Sequence, residues 1–108
     1  MAATPEKKVK TAVGKLLARY GVYFFYPVAT GMGRAGIPDI IGCFKGHFIA
    51  IECKAGKNTT TALQERELYN IQSAGGIAIV INESNIADLE EILNESTSTT
   101  SAPASDNT

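Results

Sequence analysis

The most informative stretch of this sequence is Gly36-Ile-Pro-Asp-Ile-Ile-Gly-Cys-Phe-Lys-Gly-His-Phe-Ile-Ala-Ile-Glu-Cys-Lys54. It is predicted to form two short apolar strands, Ile37 to Phe44 and His47 to Lys54, joined by a tight turn at Lys45-Gly46. Because side chains alternate between the two faces of a strand, Glu52 and Lys54 project to the same side. An acid and an amine therefore lie together at the end of a strand that is otherwise built for burial.

A second carboxylate, Asp39, reaches the same side if the hairpin register allows. Mg2+ and Mn2+ prefer oxygen ligands, and one or two carboxylates with water and phosphate oxygens complete their usual coordination. Asp39 and Glu52 are thus candidate metal ligands, and Lys54 is placed to orient a water or to stabilise developing charge. The alternative is a plain ion pair of Lys54 with either acid, which the Glu-x-Lys pattern alone predicts equally well.

The combination of Pro38-Asp39, a hydrophobic hairpin and Glu52-Cys53-Lys54 resembles the signature of the PD-(D/E)xK nuclease superfamily. Within it, the Gly-Ile-Pro-Asp-Ile-Ile opening, the Ile-Ala-Ile-Glu-Cys-Lys strand and the downstream Gln64 are most similar to the VRR-NUC family, in its small stand-alone form from phages and bacteria. The similarity covers roughly residues 5 to 82. Several matched segments in a suitable order are more specific than one short motif.

The resemblance implies a metal-dependent endonuclease that hydrolyses DNA. It implies catalytic roles for Asp39, Glu52, Lys54 and Gln64, and it places Mg2+ or Mn2+ between Asp39, Glu52, the Cys53 carbonyl and Glu6. It further implies a homodimer that acts on branched DNA such as Holliday junctions. A flap nuclease, a linear-end nuclease and a non-catalytic DNA-binding module on the same fold remain alternatives.

Length and composition indicate one small domain, residues 1–93, followed by a polar tail, residues 94–108, that is expected to be disordered. No apolar run approaches the roughly 18 residues of a membrane span, and a signal sequence is not recognisable, so we expect a cytoplasmic protein. Cys43 and Cys53 lie in apolar strand patterns, which predicts two free, buried thiols rather than a disulfide.

The net charge of −1 hides an uneven distribution. Residues 1–60 carry nine Lys or Arg against three acids, whereas residues 61–108 carry one Arg against eight acids. A basic half that contains the candidate site is typical of proteins that contact a phosphate backbone, although ordinary solvated charge is the alternative. We take four residues of this half as candidate DNA contacts: Lys10, Arg34, Lys45 and Lys57.

Periodicity and capping signals predict the remaining elements. A helix is expected from Pro5 to Arg19, an aromatic strand from Val22 to Val28, a helix from Ala62 to Ser73, a strand from Ile77 to Ile81 and a helix from Ile86 to Leu93. We interpret the aromatic residues of the first strand as core and sheet surface rather than as a base-stacking platform. With the hairpin, the order is α-β-β-β-α-β-α, which predicts an α/β fold with a single mixed β-sheet flanked by helices, as in the restriction-endonuclease-like core.

Two local patterns have competing interpretations. Gly31 to Gly36 matches G-x-G-x-x-G, but Ile37-Pro38 and β-branched residues follow where a dinucleotide site needs a helix, so no nucleotide cofactor is expected. Thr61 and Gln64 form a capping box, while the family resemblance places Gln64 at the edge of the site. We expect one rotamer of Gln64 to serve only one of these two roles.

Overall fold

A computed structural model of the chain describes residues 4–28 and 33–98. Within these residues three helices and four strands follow one another in the predicted order α-β-β-β-α-β-α. Their bounds are α1 Pro5–Arg19, β1 Tyr23–Phe25, β2 Ile40–Phe44, β3 His47–Cys53, α2 Ala62–Ser73, β4 Ile77–Ile81 and α3 Ile86–Ser98. The bounds of α1, α2 and β4 agree with the sequence prediction.

The four strands form one mixed sheet in the order β1-β2-β3-β4. β1, β2 and β3 are an antiparallel meander, and β4 lies parallel to β3 because α2 carries the chain back across the sheet. Ile40 is paired with Ile51, so the start of β2 lies beside the end of β3. The predicted α/β fold with a single mixed sheet flanked by helices is confirmed.

The main core lies between the sheet and the helices α1 and α3. Leu17, Ile51 and Leu89 have no measurable exposure there, and each such side chain contributes about 2 kcal/mol of hydrophobic stabilisation. A smaller cluster of Ala50, Leu68 and Ala78 packs α2 on the other face. Glu52 projects to this second face, because it alternates with Ile51 along β3.

The strands next to the proline residues are shorter than predicted. β1 spans three residues rather than Val22 to Val28, since Pro27 has no N–H group for a ladder. β2 begins at Ile40 rather than Ile37. Pro38 again lacks the donor, and the Asp39 carboxylate, rather than a main-chain carbonyl, accepts the Cys53 N–H at 2.9 Å. The side chain of this candidate metal ligand thus takes the place of a main-chain acceptor in the ladder.

α3 extends to Ser98, five residues beyond the predicted end at Leu93. The Tyr20 hydroxyl lies 3.0 Å from Oε2 of Glu90 and 2.9 Å from Oδ1 of Asn94 and shares its one proton between these two acceptors, which ties this part of α3 to the end of α1. Residues 94–98 therefore belong to a helix rather than to the polar tail. The tail prediction for residues 99–108 lies outside the described residues.

The aromatic residues of the first strand are largely exposed. Tyr23 is 71% and Phe25 is 48% exposed, whereas Phe24 packs against the core. Both cysteines are free, but only Cys53 is buried; the prediction of burial was wrong for Cys43, which is exposed on β2, between Tyr23 and Phe48 of the neighbouring strands. Among the described residues, none of the helices is long and apolar enough to cross a membrane.

Candidate metal centre

Three carboxylates from three separate elements meet at the end of the central hairpin. Glu6 lies in the first turn of α1, Asp39 immediately precedes β2, and Glu52 lies on β3. One carboxylate oxygen from each lies within 4.8 Å of the others. The hairpin register brings Asp39 beside the end of β3, and the hydrogen bond from the Cys53 N–H holds its carboxylate there. The group of Glu6, Asp39 and Glu52 is called the acidic cluster below.

Two lysines partly compensate the charge of the acidic cluster. Lys54 Nζ lies 3.4 Å from Oε2 of Glu52, and Lys10 Nζ lies 3.7 Å from Oδ1 of Asp39. Lys54 is the more buried of the two, with 11% of its side chain exposed. Three carboxylates against two ammonium groups leave the cluster with an excess of negative charge. Lys10, predicted as a DNA contact, thus forms an ion pair with Asp39 at the edge of the cluster rather than lying on a separate surface.

Glu52 is held in an environment that opposes its ionisation. Its side chain is 2% exposed, and burial, followed by the neighbouring charge of Asp39, raises its pKa to about 7, although Lys54 acts in the opposite direction. Oε1 of Glu52 is also buried and has no hydrogen-bond partner among the described residues. A buried carboxylate oxygen without a donor is energetically unfavourable, and a cation would satisfy it.

The acidic cluster could therefore hold a metal ion. Its donor set consists of carboxylate oxygens, which suits a hard cation rather than zinc or copper. The Cys53 thiol is not part of this set, because its side chain lies on the opposite, apolar face of β3. Burial, followed by the charge of Asp39, raises the pKa of that thiol to about 12, so it stays protonated. The Cys53 carbonyl as a ligand stays a prediction.

Gln64 serves as a capping residue and as a contact of the acidic cluster at the same time. Its Oε1 accepts the backbone N–H of Thr61 at 2.9 Å, and its Nε2 donates to Oε2 of Glu52 at 3.0 Å. The expectation that one rotamer could serve only one role was wrong. The carbonyl and amino ends of the amide point in different directions, so the two bonds do not compete.

Arg34 lies beside α2, where its guanidinium is engaged by Glu67. Nε and Nη2 donate to the Glu67 carboxylate at 2.9 to 3.1 Å, and this bidentate contact lowers the pKa of Glu67. The Glu67 side chain is only 6% exposed, whereas that of Arg34 is 65% exposed. Two donors of the predicted DNA contact are thus committed within the protein. Sequence reasoning missed Glu67, since no local pattern pairs residues 33 positions apart.

The loop that precedes Asp39 is also packed closely against α2. Gly36 has φ +79°, and a Cβ atom placed there would lie 2.5 Å from the carbonyl oxygen of Leu63 and 2.9 Å from the Gln64 nitrogen. Only glycine fits such a position. No helix begins at Gly36 within the described residues, since β2 starts at Ile40. The geometry of a dinucleotide site is therefore absent from this part of the chain.

The two remaining candidate DNA contacts lie at different distances from the acidic cluster. Lys57 lines an open cleft of about 940 Å³ that also contains Glu6, Lys7 and Lys10. Lys45 lies in the β2–β3 turn, about 20 Å along the strand from Asp39 at roughly 3.3 Å per residue. Its ammonium group lies 5.7 Å from the centroid of the Phe44 ring. The structure places Lys57 in the same cleft as Glu6, whereas Lys45 lies at the other end of the hairpin, and contact of either lysine with DNA stays a prediction.

Comparisons with known proteins do not assign the chain to a family. A scan against models of protein families found no match, and a search among curated proteins found no relative. The similarity to VRR-NUC nucleases thus rests on the motif residues alone. The chemistry of the acidic cluster is the basis on which a function can be argued.

Proposed function

We propose that this protein is a divalent-metal-dependent endonuclease that hydrolyses phosphodiester bonds in DNA. The observation that carries the proposal is the acidic cluster itself. One oxygen of each of its three carboxylates lies within 4.8 Å of the others, a nearly buried lysine contacts Glu52, and Oε1 of Glu52 is buried with no donor among the described residues. A plain ion pair between Glu52 and Lys54 does not account for Glu6 and Asp39 at the same point.

The roles of the residues follow from their positions. Asp39 and Glu52 would hold Mg2+ or Mn2+, with Glu6 and the Cys53 carbonyl as further oxygen ligands. When bound, the ion would neutralise charge on the scissile phosphate and make water a better nucleophile at neutral pH. Lys54, whose ammonium lies 3.4 Å from Glu52, would orient that water or stabilise the negative charge that develops at phosphorus.

Basic residues beside the acidic cluster support DNA as the substrate. Lys7, Lys10 and Lys57 line the open cleft that contains Glu6. Arg34 and Lys10 line a second cleft, of about 510 Å³, that contains Asp39 and Gln64. Phosphates on either side of a bond held at the cluster would lie near these cations, and sequence-independent contacts of this kind provide much of the affinity for DNA.

Branched DNA and a homodimer are the proposed substrate and assembly. Both come from the family resemblance, which implies a resolvase of Holliday junctions in the cytoplasm. A twofold pair of sites suits a substrate with two equivalent strands. The exposed aromatic residues on one face of the sheet, Tyr23, Phe25 and Phe48, offer apolar surface to a second subunit. Flaps and linear ends remain the alternative substrates.

Cleavage of matched synthetic substrates tests the proposal. A four-way junction, a flap, a linear duplex and a single strand would be incubated with Mg2+, Mn2+ or EDTA. We expect paired, metal-dependent nicks in the junction. Lys54→Ala should lose them by at least a hundredfold, since general acid–base and electrostatic groups each contribute about 10²-fold or more.

A matched control distinguishes the loss of a catalytic lysine from the loss of any positive charge. Lys15 is an exposed lysine on α1 beside Arg19 and Glu90, and Lys15→Ala should cleave normally. Circular dichroism would establish that both variants are folded. If the folded wild-type protein binds DNA but cleaves none of the substrates with either metal, the non-catalytic DNA-binding module becomes the better account.

A further inference from the structure

The amide of Gln64 is held from both ends. The N-terminus of α2 holds the carbonyl end, through the backbone N–H of Thr61, and the amino end donates to Glu52. The other half of the capping box is separate, because there the Thr61 hydroxyl accepts the backbone N–H of Gln64 at 3.2 Å. The cap therefore contains one bond that orients the Gln64 side chain and one that does not.

Elementary hydrogen-bond chemistry permits only one orientation of this amide. A backbone N–H can only donate, so the oxygen of the amide must face Thr61. An ionised carboxylate can only accept, so the NH2 group must face Glu52. Rotation of the amide by 180° would replace both hydrogen bonds with repulsive contacts. The first turn of α2 thus selects the orientation that Glu52 requires.

This orientation makes the two oxygens of Glu52 unequal. Oε2 accepts from Gln64 at 3.0 Å and lies 3.4 Å from Lys54, whereas Oε1 has no donor within the described residues. We propose that Gln64 is a positioning residue, through which the capping box of α2 fixes the Glu52 carboxylate so that Oε1 has no donor within the described part of the protein and can serve as a ligand to a divalent cation. This inference rests on the metal site of the proposed function.

The first two turns of α2 also pack against the loop that leads to Asp39. Gly36, three residues before Asp39, packs directly against the backbone of Leu63 and Gln64. One turn further along, Glu67 holds Arg34 of the same loop by a bidentate contact. α2 is therefore packed against the loop that leads to Asp39, and through Gln64 it is also bonded to Glu52 on β3.

Two variants distinguish positioning from helix capping. Gln64→Met has nearly the same volume but removes both bonds of the amide. Thr61→Ala removes only the hydroxyl cap and leaves the backbone N–H for Gln64. Both should lower the midpoint of thermal unfolding, because each weakens the capping box. Only Gln64→Met should weaken Mn2+ binding, by about tenfold, the usual effect of losing a group that orients a metal ligand.

Mn2+ affinity would be measured at pH 8 by electron paramagnetic resonance of free Mn2+, without DNA. Affinity for a DNA junction in EDTA would be measured beside it and should be unchanged in Thr61→Ala, because Thr61 lines neither cleft. Equal Mn2+ affinity in wild type and Gln64→Met, or equal losses in the two variants, would overturn the positioning role while leaving the nuclease proposal intact. If Gln64→Met does not fold, Gln64→Asn, whose amide is one methylene too short to reach Glu52, replaces it.

The failure of the proposed function has a different signature. Wild-type protein and Glu52→Gln would then show the same Mn2+ affinity, which would exclude a metal site at the acidic cluster and the positioning role with it. A loss of Mn2+ affinity in Glu52→Gln, together with a smaller loss in Gln64→Met and none in Thr61→Ala, is the expected pattern.

Discussion

Glu52→Gln should stabilise the metal-free protein at alkaline pH. The substitution replaces a buried carboxylate by a neutral amide of the same shape. The amide oxygen can still accept from Gln64 and Lys54, and the new NH2 group can donate to the nearby carboxylates of Glu6 and Asp39. The residue proposed to bind metal is thus expected to lower the stability of the empty site.

The magnitude follows from the pKa of Glu52. Burial and the charge of Asp39 raise it from 4.5 to about 7 in the folded protein, so the folded state binds the proton more tightly than the unfolded chain does. Stability therefore falls as pH rises from about 4.5 to 7, and the full loss is present above pH 7. A difference of this size corresponds to at most about 3 kcal/mol, and local relaxation reduces it, so we expect a gain of about 1 to 3 kcal/mol for Glu52→Gln at pH 8.

Urea unfolding in EDTA at pH 5 and pH 8 measures this effect. The stability difference between Glu52→Gln and wild type should be below about 1 kcal/mol at pH 5 and largest at pH 8. Glu91→Gln, an exposed site on α3, is the control and should change stability by less than about 0.5 kcal/mol at either pH. Added Mn2+ should reverse the order by stabilising only the wild type. A variant that is no more stable than wild type at pH 8, or a gain independent of pH, would refute the reasoning.

Three further predictions concern the packing and the hydrogen bonds that hold the helices in place. Gly36→Ala should lower the free energy of unfolding in urea by about 2 to 4 kcal/mol, because its Cβ atom would clash with the Leu63 carbonyl and its φ angle is positive. An unchanged urea midpoint would contradict the close packing. Glu67→Gln should destabilise the protein near neutral pH but not in acid, because Arg34 lowers the pKa of Glu67 and the resulting stabilisation is lost as pH falls below about 4.5. A loss of stability that thermal unfolding shows to be independent of pH would argue against the ion pair. Tyr20→Phe should speed amide hydrogen exchange in the last turns of α3, since it removes the hydroxyl that contacts Glu90 and Asn94. Exchange protection equal to wild type would show that this hydroxyl does not stabilise the end of α3.

Local sequence patterns correctly predicted the features that depend on near neighbours. The alternation along β3 placed Glu52 and Lys54 on one face, the Lys45-Gly46 turn predicted the hairpin, and the Thr61 capping box predicted the start of α2. These properties follow from side-chain period, turn chemistry and capping, which act over a few residues. Strand ends were less predictable where a side chain replaces the backbone ladder, as Asp39 does.

Contacts between residues that are distant in the chain could not be predicted in this way. The approach of Glu6 to Asp39 and Glu52 requires α1 to dock at the end of the hairpin, and the pairing of Arg34 with Glu67 requires α2 to pack beside the glycine loop. Such contacts depend on how separate elements pack rather than on any local pattern. The double role of Gln64 is of the same kind: its capping bond is local, whereas its bond to Glu52 exists because the packing of α2 on the sheet brings the two side chains within 3.0 Å.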